Sequence, residues 1–437
     1  MSWKNIRYGK LRVRRNYAKV QTDVELPNLI EIQTKSFEWF KTKGIQEVFD
    51  NISPITDYNK EKFELSFVSF EFDEPKYTIK EAKIHKTNYC QPLKANVYLI
   101  NKDTGEFKED IIFMGDVPMM TPWGTFIING SERVIVTQIV RSAGAFFSRE
   151  MNKKTGKYNY SGLLMPTHGA WIEFELGSKN IWYAKVDRCK KVPLTVLIRA
   201  LGIGKTKAIK DLFGTSDFLE NTLDADETFG EDDAVKTLYD KIKPNNPISV
   251  DSVRNEIASL LFEHHRYDLA KVGRYKVNKK LDVVQRALGN KLVEDLKDAD
   301  GNILIHKDVE IREAEAKILS EHREAFRVTK EYDLMLRGNS VTLEILKIKV
   351  RGHEDKIIPI IGNDQREDTL TVTLSDIIAS ISYYMNLHDG VGRVDDIDHL
   401  GNRRLRLIGE LLQNQFKMGL QKVETQIKQK MSTSNDT

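Results

Sequence analysis

The chain has 437 residues, 40% hydrophobic and 30% charged, with two cysteines and a formal net charge of +3. That length predicts at least two domains, and the composition excludes disordered, collagen-like and disulfide-framework chains. No window approaches the apolar length of a membrane span and no apolar signal core follows Met1, so a soluble, cytoplasmic protein without membrane contact is expected.

Residues 1–20 carry seven positive charges and no acid, and residues 220–233 carry seven acids and no base. Such runs read first as a solvated tail and a solvated loop. A first helix is expected near Pro27, with Leu29, Ile32, Phe37 and Phe40 on one stripe and Gly44 as its stop. From 60 to 140 the pattern changes to period two, as at Phe63, Leu65 and Phe67. Residues 121–140 predict two strands, Thr125–Ile128 and Arg133–Val140, turning at Asn129-Gly130. Residues 170–187 predict another hairpin, with Ile172, Phe174 and Leu176 on one face and Trp171, Glu173 and Glu175 on the other. An indole on the wet face is out of place in a core. A tryptophan partly covered at a domain seam and a binding role both account for it.

Pro193 opens a helix through Leu194, Leu197 and Leu201, and a shorter one ends at Gly214. The acidic stretch and residues 243–249 are expected as loop, Val253–Phe262 as helix, and 296–311 as a hairpin with Asp300-Gly301 in its turn. Thr373 and Asp376 form a capping box before a stripe of Ile377, Ile381, Tyr384 and Met385, closed by Gly390. From Asn402, apolar residues recur at Leu405, Ile408, Leu412, Phe416, Leu420, Val423 and Ile427, the longest helical pattern in the chain. The terminal MSTSNDT resembles a cut through a connecting loop.

Catalytic and metal motifs are largely missing. Gly204-Lys205-Thr206 matches the end of a P-loop, but Arg199 stands where the first glycine belongs. Asp298, Asp300 and Asn302 imitate the start of a calcium loop, yet Ile303 occupies its glycine position. His264 and His265 are adjacent, so on a helix they diverge by about 100° and cannot chelate together. Arg403, Arg404 and Arg406 crowd the expected start of the last helix, where the macrodipole disfavours cations. Neighbouring Asp395, Asp396 and Asp398, or an external phosphate, would compensate them.

At these residues the chain resembles the bacterial RNA polymerase β-subunit family. The resemblance is carried by ELPNLIEIQTKSFEWF (25–40), GTFIINGSERVIVTQIVRS (124–142), VDRCKKVPLTVLIRALG (186–202), RYDLAKVGRYKVNKKL (266–281) and VDDIDHLGNRRLRLIGELLQNQF (394–416), in family order. It implies an α+β chain: a protrusion domain of mixed sheet (1–138 and 394–437) with an α/β lobe domain (139–393) inserted. It implies the N-terminal DNA-cleft part of a DNA-directed RNA polymerase, near the nucleoid, with β′, α and σ subunits and DNA as partners. Catalytic residues would lie outside this chain. No cofactor is expected here, because the resemblance assigns the catalytic magnesium to β′.

Carried over residue by residue, the resemblance has Trp171 stacking on a non-template base and Asp398 accepting from a guanine. Arg141, Asp187, Arg188, Lys243, Arg266 and Arg403 surround them. Stacking tolerates any base, and guanidinium groups hold phosphate. Phe107, Lys108 and Glu109 match the strand where transcription-repair coupling factors dock by edge pairing. Val136 matches a border of the rifamycin pocket.

Departures from the family are specific. Ala143 replaces the proline after Arg141-Ser142, which predicts a looser turn, and Thr425 replaces an arginine. Lys243 replaces another, which removes bidentate geometry. Cys90 and Cys189 receive no role. Two other functions remain open to test. A complete nucleotidyltransferase or P-loop enzyme predicts magnesium-dependent turnover from the isolated chain. A scaffold for protein factors predicts no DNA affinity even at low salt, whereas a DNA-cleft module predicts weak, salt-sensitive binding.

Overall fold

A computed structural model describes residues 4–7, 10, 12–16, 27–57, 62–153, 156–187, 189–244, 249–264, 266–298, 301–331, 340–365 and 369–433. Helices and strands are mixed throughout, an α+β chain. It divides into two compact units, 1–139 with 405–437, and 140–404.

The first unit is built on a four-stranded antiparallel sheet ordered Ile55–Thr56, Phe63–Phe72, Cys90–Asn101 and Phe107–Pro118. Its core gathers Phe37, Phe40, Ile45, Val48, Phe49, Phe67, Leu93, Phe126, Ile408 and Leu420. Phe49 stacks on Phe67 at 4.7 Å between centroids and meets Phe416 edge-on at 5.7 Å, so the first and last helices share one aromatic centre.

Several expectations change in this unit. Gly44 does not end the first helix: Glu31–Trp39 passes through one π-helical turn, Phe40–Gly44, into Ile45–Ile52. That second half buries Ile45, Val48 and Phe49, and the missing side chain of Gly44 leaves room for the Trp39 ring. Leu29 and Ile32 are exposed, because the helix starts only at Glu31 and turns Phe37 and Phe40 inward. The 121–140 hairpin is shorter than expected. Phe126–Ile128 pairs with Ser131–Arg133 across Asn129-Gly130, and Gln138–Arg141 is a separate strand. Between them Val134 and Val136 are exposed and only Ile135 packs on the core.

The last helix also departs. It runs from Ile408 to Thr433, so Leu405 precedes it and helix, not loop, continues through Thr433; residues 434–437 lie outside the described ones. Arg403–Arg406 is a strand. The arginines therefore do not stand in the first helical turn, which carries Glu410 instead. Arg406 pairs with Glu410 at 3.4 Å, and most of the expected conflict with the helix dipole disappears.

The second unit holds a five-stranded antiparallel sheet in chain order: Gly144–Met151, Tyr158–Met165, Ile172–Leu176, Trp182–Val186 and Val192–Pro193. A second sheet surrounds the strand Ser340–Val350, which pairs with Lys291–Leu292, Arg327–Glu331 and His353–Gly362. The helix Leu374–His388 packs against Tyr158–Met165, His353–Gly362 and the helix Ala270–Leu281. Its capping box forms as the sequence predicts. However, Ser375 to Leu387 are all buried, so the expected stripe is a helix enclosed on every side. Arg274 reaches it from the Ala270–Leu281 helix and binds Asp376 at 2.8 Å, with the two side chains 6% and 0% exposed.

The acidic stretch is not a loop. Asp217–Asp224 and Glu231–Ile242 are helices, and Glu231, Asp232 and Asp233 fill the first turn of the second, where its dipole favours them. Asp226 binds Arg199 at 3.0 Å. The buried Arg199 also donates to the Gly204 carbonyl and, at 2.8 Å, to Thr206 Oγ1. The residue that replaced the P-loop glycine thus fills the turn with its own side chain.

Candidate nucleic-acid interface

Trp171 stands just before the strand Ile172–Leu176. Ile172 and Phe174 point into the core while the indole is 45% exposed, as the alternation of the strand requires. Its carbonyl accepts from the Asp187 amide at 2.7 Å, across the end of the hairpin. Asp187 adopts a φ of 58° in the turn after Trp182–Val186. Cys189 closes that turn: its Sγ accepts from the Val186 amide at 3.4 Å and its thiol donates to the Lys190 carbonyl at 3.2 Å. Burial raises the thiol pKa, which suits a structural cysteine and gives Cys189 a role the sequence did not. Arg188 lies outside the described residues.

The other side of the Trp171 loop is stitched to the segment carrying Arg266. Thr167 and Asp268 are bridged by an amide-to-carbonyl bond of 2.8 Å, and the Asp268 amide donates to the His168 carbonyl at 2.7 Å. Gly169 makes this approach possible. Its φ is +129°, and a Cβ there would lie 2.8 Å from the Arg266 carbonyl oxygen. Glu256 joins Arg266 to Lys243, at 3.5 Å and 2.7 Å respectively. The hydrogen bond from Lys243, and then the Arg266 charge, hold the Glu256 carboxyl below its usual range. Two cations share one carboxylate, which leaves this group with a positive balance. Lys243 contributes a single hydrogen bond here, consistent with the loss of a bidentate fork.

A second group forms around Arg403. Its guanidinium binds Asp398 at 2.5 Å, and the Asp398 amide donates to Asp396 Oδ1 at 2.9 Å. Asp398 is largely exposed, so a carboxylate acceptor is presented beside a cation. Arg141 belongs with them: the next residue, Ser142, donates its amide to the Asn402 carbonyl at 3.0 Å. The Arg141 guanidinium lies 5.9 Å from the Phe146 ring centroid. The turn expected to loosen without proline is held instead by Lys276, which donates to Ser142 Oγ and to the Gly401 carbonyl, both at 2.6 Å.

The remaining site residues lie in the first unit. Phe107, Lys108 and Glu109 open the strand Phe107–Pro118 and pair with Ile100, Leu99 and Tyr98. All three are exposed on the outermost strand of their sheet. Val136 is exposed between two short strands. Sequence reading missed Glu256 and Gly169. The regular helical pattern of Val253–Phe262 hid the first, and only a knowledge of φ marks the second.

The chain matches the family described as RNA polymerase beta subunit over residues 28–437. The chain belongs to the RNA polymerase beta subunit family. It is 45% identical to a DNA-directed RNA polymerase subunit beta of Acholeplasma laidlawii, covering 100% of this chain and 40% of the relative. It is 44% identical to one of Listeria welshimeri, covering 99% and 37%, and 42% identical to one of Streptococcus pyogenes, covering 100% and 37%. This beta-subunit chain therefore spans about two fifths of the length of the curated relatives it matches. Among its described residues no three His, Cys, Asp or Glu side chains group as a metal site, and no helix is long and apolar enough to cross a membrane.

Proposed function

We propose that this chain is the N-terminal region of a DNA-directed RNA polymerase β subunit, serving RNA synthesis by holding downstream and non-template DNA and by docking transcription factors. The second unit acts as the lobe and the first as the protrusion. The observation that carries the reading is the exposed Trp171 indole, whose carbonyl is tied to Asp187 and whose loop is bonded to the segment that carries Arg266. A flat aromatic face with cations beside it stacks on a base and holds its phosphates. Asp398, with Arg403 and Arg141 beside it, offers an acceptor for a guanine edge. Arg188 belongs to the same reading through its place in the chain next to Asp187.

The free edge at Phe107, Lys108 and Glu109 receives a strand of a transcription-repair coupling factor. Val136 borders an antibiotic pocket completed by residues outside this chain. The working enzyme contains β′, α and σ, with magnesium held by β′, and the isolated chain has no nucleotidyl transfer of its own. The test is Trp171→Ala in the assembled polymerase. Stacking contributes about 1–3 kcal/mol per base, so affinity for a single strand should fall about five- to 150-fold. Unchanged single-strand affinity and unchanged bubble stability would remove the stacking role.

A further inference from the structure

Within the second unit a cleft of about 840 Å3 opens beside the helix Ala270–Leu281. Six cationic side chains line it, Lys276, Lys279, Lys280, Arg286, Arg351 and Arg393, against two carboxylates. Both carboxylates are already engaged: Asp395 binds Lys280 at 2.8 Å, and Asp282 binds Arg323 at 2.9 Å. Among the described residues no carboxylate is in ion-pair contact with the other five cations. Lys276, Lys279 and Lys280 follow the three- and four-residue spacing that puts side chains on one helix face. That face is directed at the cleft.

Arg286, also lining the cleft, is buried and has no ion-pair partner among the described residues. Its Nη1 donates to the Ile361 carbonyl at 2.6 Å and Nη2 to Ser382 Oγ at 3.2 Å, while Nε has no partner. The Tyr383 ring takes up part of the field, with Arg286 at 4.9 Å and Lys280 at 5.2 Å from its centroid. Burial lowers the Lys276 pKa. Its two hydrogen bonds go to neutral oxygens. Gathering this much uncompensated charge costs free energy in the empty protein, and an incoming anion recovers it. Tyr275, largely exposed at the cleft wall, adds an aromatic face.

We propose that this cleft is a phosphate-binding site, distinct from the Trp171 platform and adjoining the Asp398 group through His399, Gly401 and Asn402, that takes either the phosphodiesters of a single strand or the phosphates of a free nucleotide. The planar donors Arg351 and Arg393 match phosphate oxygens, and Tyr275 stacks on the attached base.

The test uses the intact chain with two probes, a fluorescent oligothymidylate of about 12 nucleotides and a fluorescent ATP analogue, read by anisotropy. The variant combines Lys279→Gln, Arg351→Gln and Arg393→Gln, three exposed side chains whose loss leaves the core intact. A charge-matched control combines Lys207→Gln, Lys236→Gln and Lys297→Gln, exposed cations of the same unit outside the cleft. The cleft variant should bind a probe about ten-fold more weakly and the control less than about two-fold. Loss of the oligonucleotide alone assigns the site to a strand, and loss of the ATP analogue assigns it to a nucleotide. Circular dichroism verifies the fold, and the single variant Lys279→Glu should shift affinity the same way. Equal loss in variant and control, no binding of either probe, or equal displacement by charge-matched polyglutamate overturns the proposal. None of these readings depends on Trp171, so the stacking role stands or falls separately.

Discussion

Replacing Gly169 with alanine tests whether the Trp171 platform is positioned by backbone geometry. At φ +129° a residue with a side chain is strained by about 1–3 kcal/mol. The new Cβ would also lie 2.8 Å from the Arg266 carbonyl and 3.0 Å from the Tyr267 Cα, atoms that move only with the chain. Tyr267 is fully buried, so a backbone shift there adds about 1–3 kcal/mol of overpacking. Together the second unit should lose about 2–6 kcal/mol in urea unfolding followed by circular dichroism. If the loop instead moves away, the bonds from Thr167 and His168 to Asp268 loosen and Trp171 loses its place. Single-strand affinity should then fall as in Trp171→Ala, and the double variant should be no weaker than Trp171→Ala alone. A stability loss below about 0.5 kcal/mol with unchanged affinity would refute the positioning argument. Fully additive effects on affinity would show that Gly169 acts elsewhere.

Three further outcomes follow from burial and pairing. His388 is enclosed by the rings of Tyr160, Trp182, Phe218 and Tyr384, and burial lowers its pKa to about 4. A folded pKa below the unfolded 6.5 stabilises the protein above pH 6.5 and is lost as pH falls toward 4. Going from pH 7.5 to 4.5 should remove about 2.5 kcal/mol. His388→Phe should lack that share of the pH dependence in parallel denaturant titrations, and an unchanged profile would exclude it. Arg274→Met leaves Asp376 charged and buried, and should cost about 3–5 kcal/mol in the same assay; a loss under about 1 kcal/mol would show that the pair is not buried in solution. Replacing Phe107, Lys108 and Glu109 together with alanine should leave the sheet intact and abolish pull-down of a repair-type factor by the polymerase. Retained capture would show that the factor binds another surface.

Features set by local chemistry were legible in the sequence. The capping box at Thr373, the turn at Asn129-Gly130 and the outward Trp171 each follow from a few neighbouring residues. Features set by distant partners were not. Gly44 looks like a helix stop until Phe49 is seen against Phe67 and Phe416, contacts made across the whole sequence. Glu231, Asp232 and Asp233 look like a solvated run until a helix begins beneath them. Arg403 and Arg404 sit at the expected start of a helix in the sequence pattern, yet strand geometry places them before it. The family resemblance proposed site residues, but the bonds around them run through Gly169, Glu256, Cys189 and Lys276, to which the sequence reading gave no role.

Two of these attachments meet at the helix Ala270–Leu281. The segment entering it, Arg266 to Leu269, is stitched to the loop of Trp171. Further along, a Cβ at Gly273 would lie 2.8 Å from that of Ala143, and Lys276 ties Ser142 to Gly401 beside Arg403. The buried Arg274–Asp376 pair roots the helix between these attachments. On the proposed reading one helix therefore carries attachments of both groups, so a change that shifts it should disturb base holding by the Trp171 indole and by the Asp398 carboxylate together.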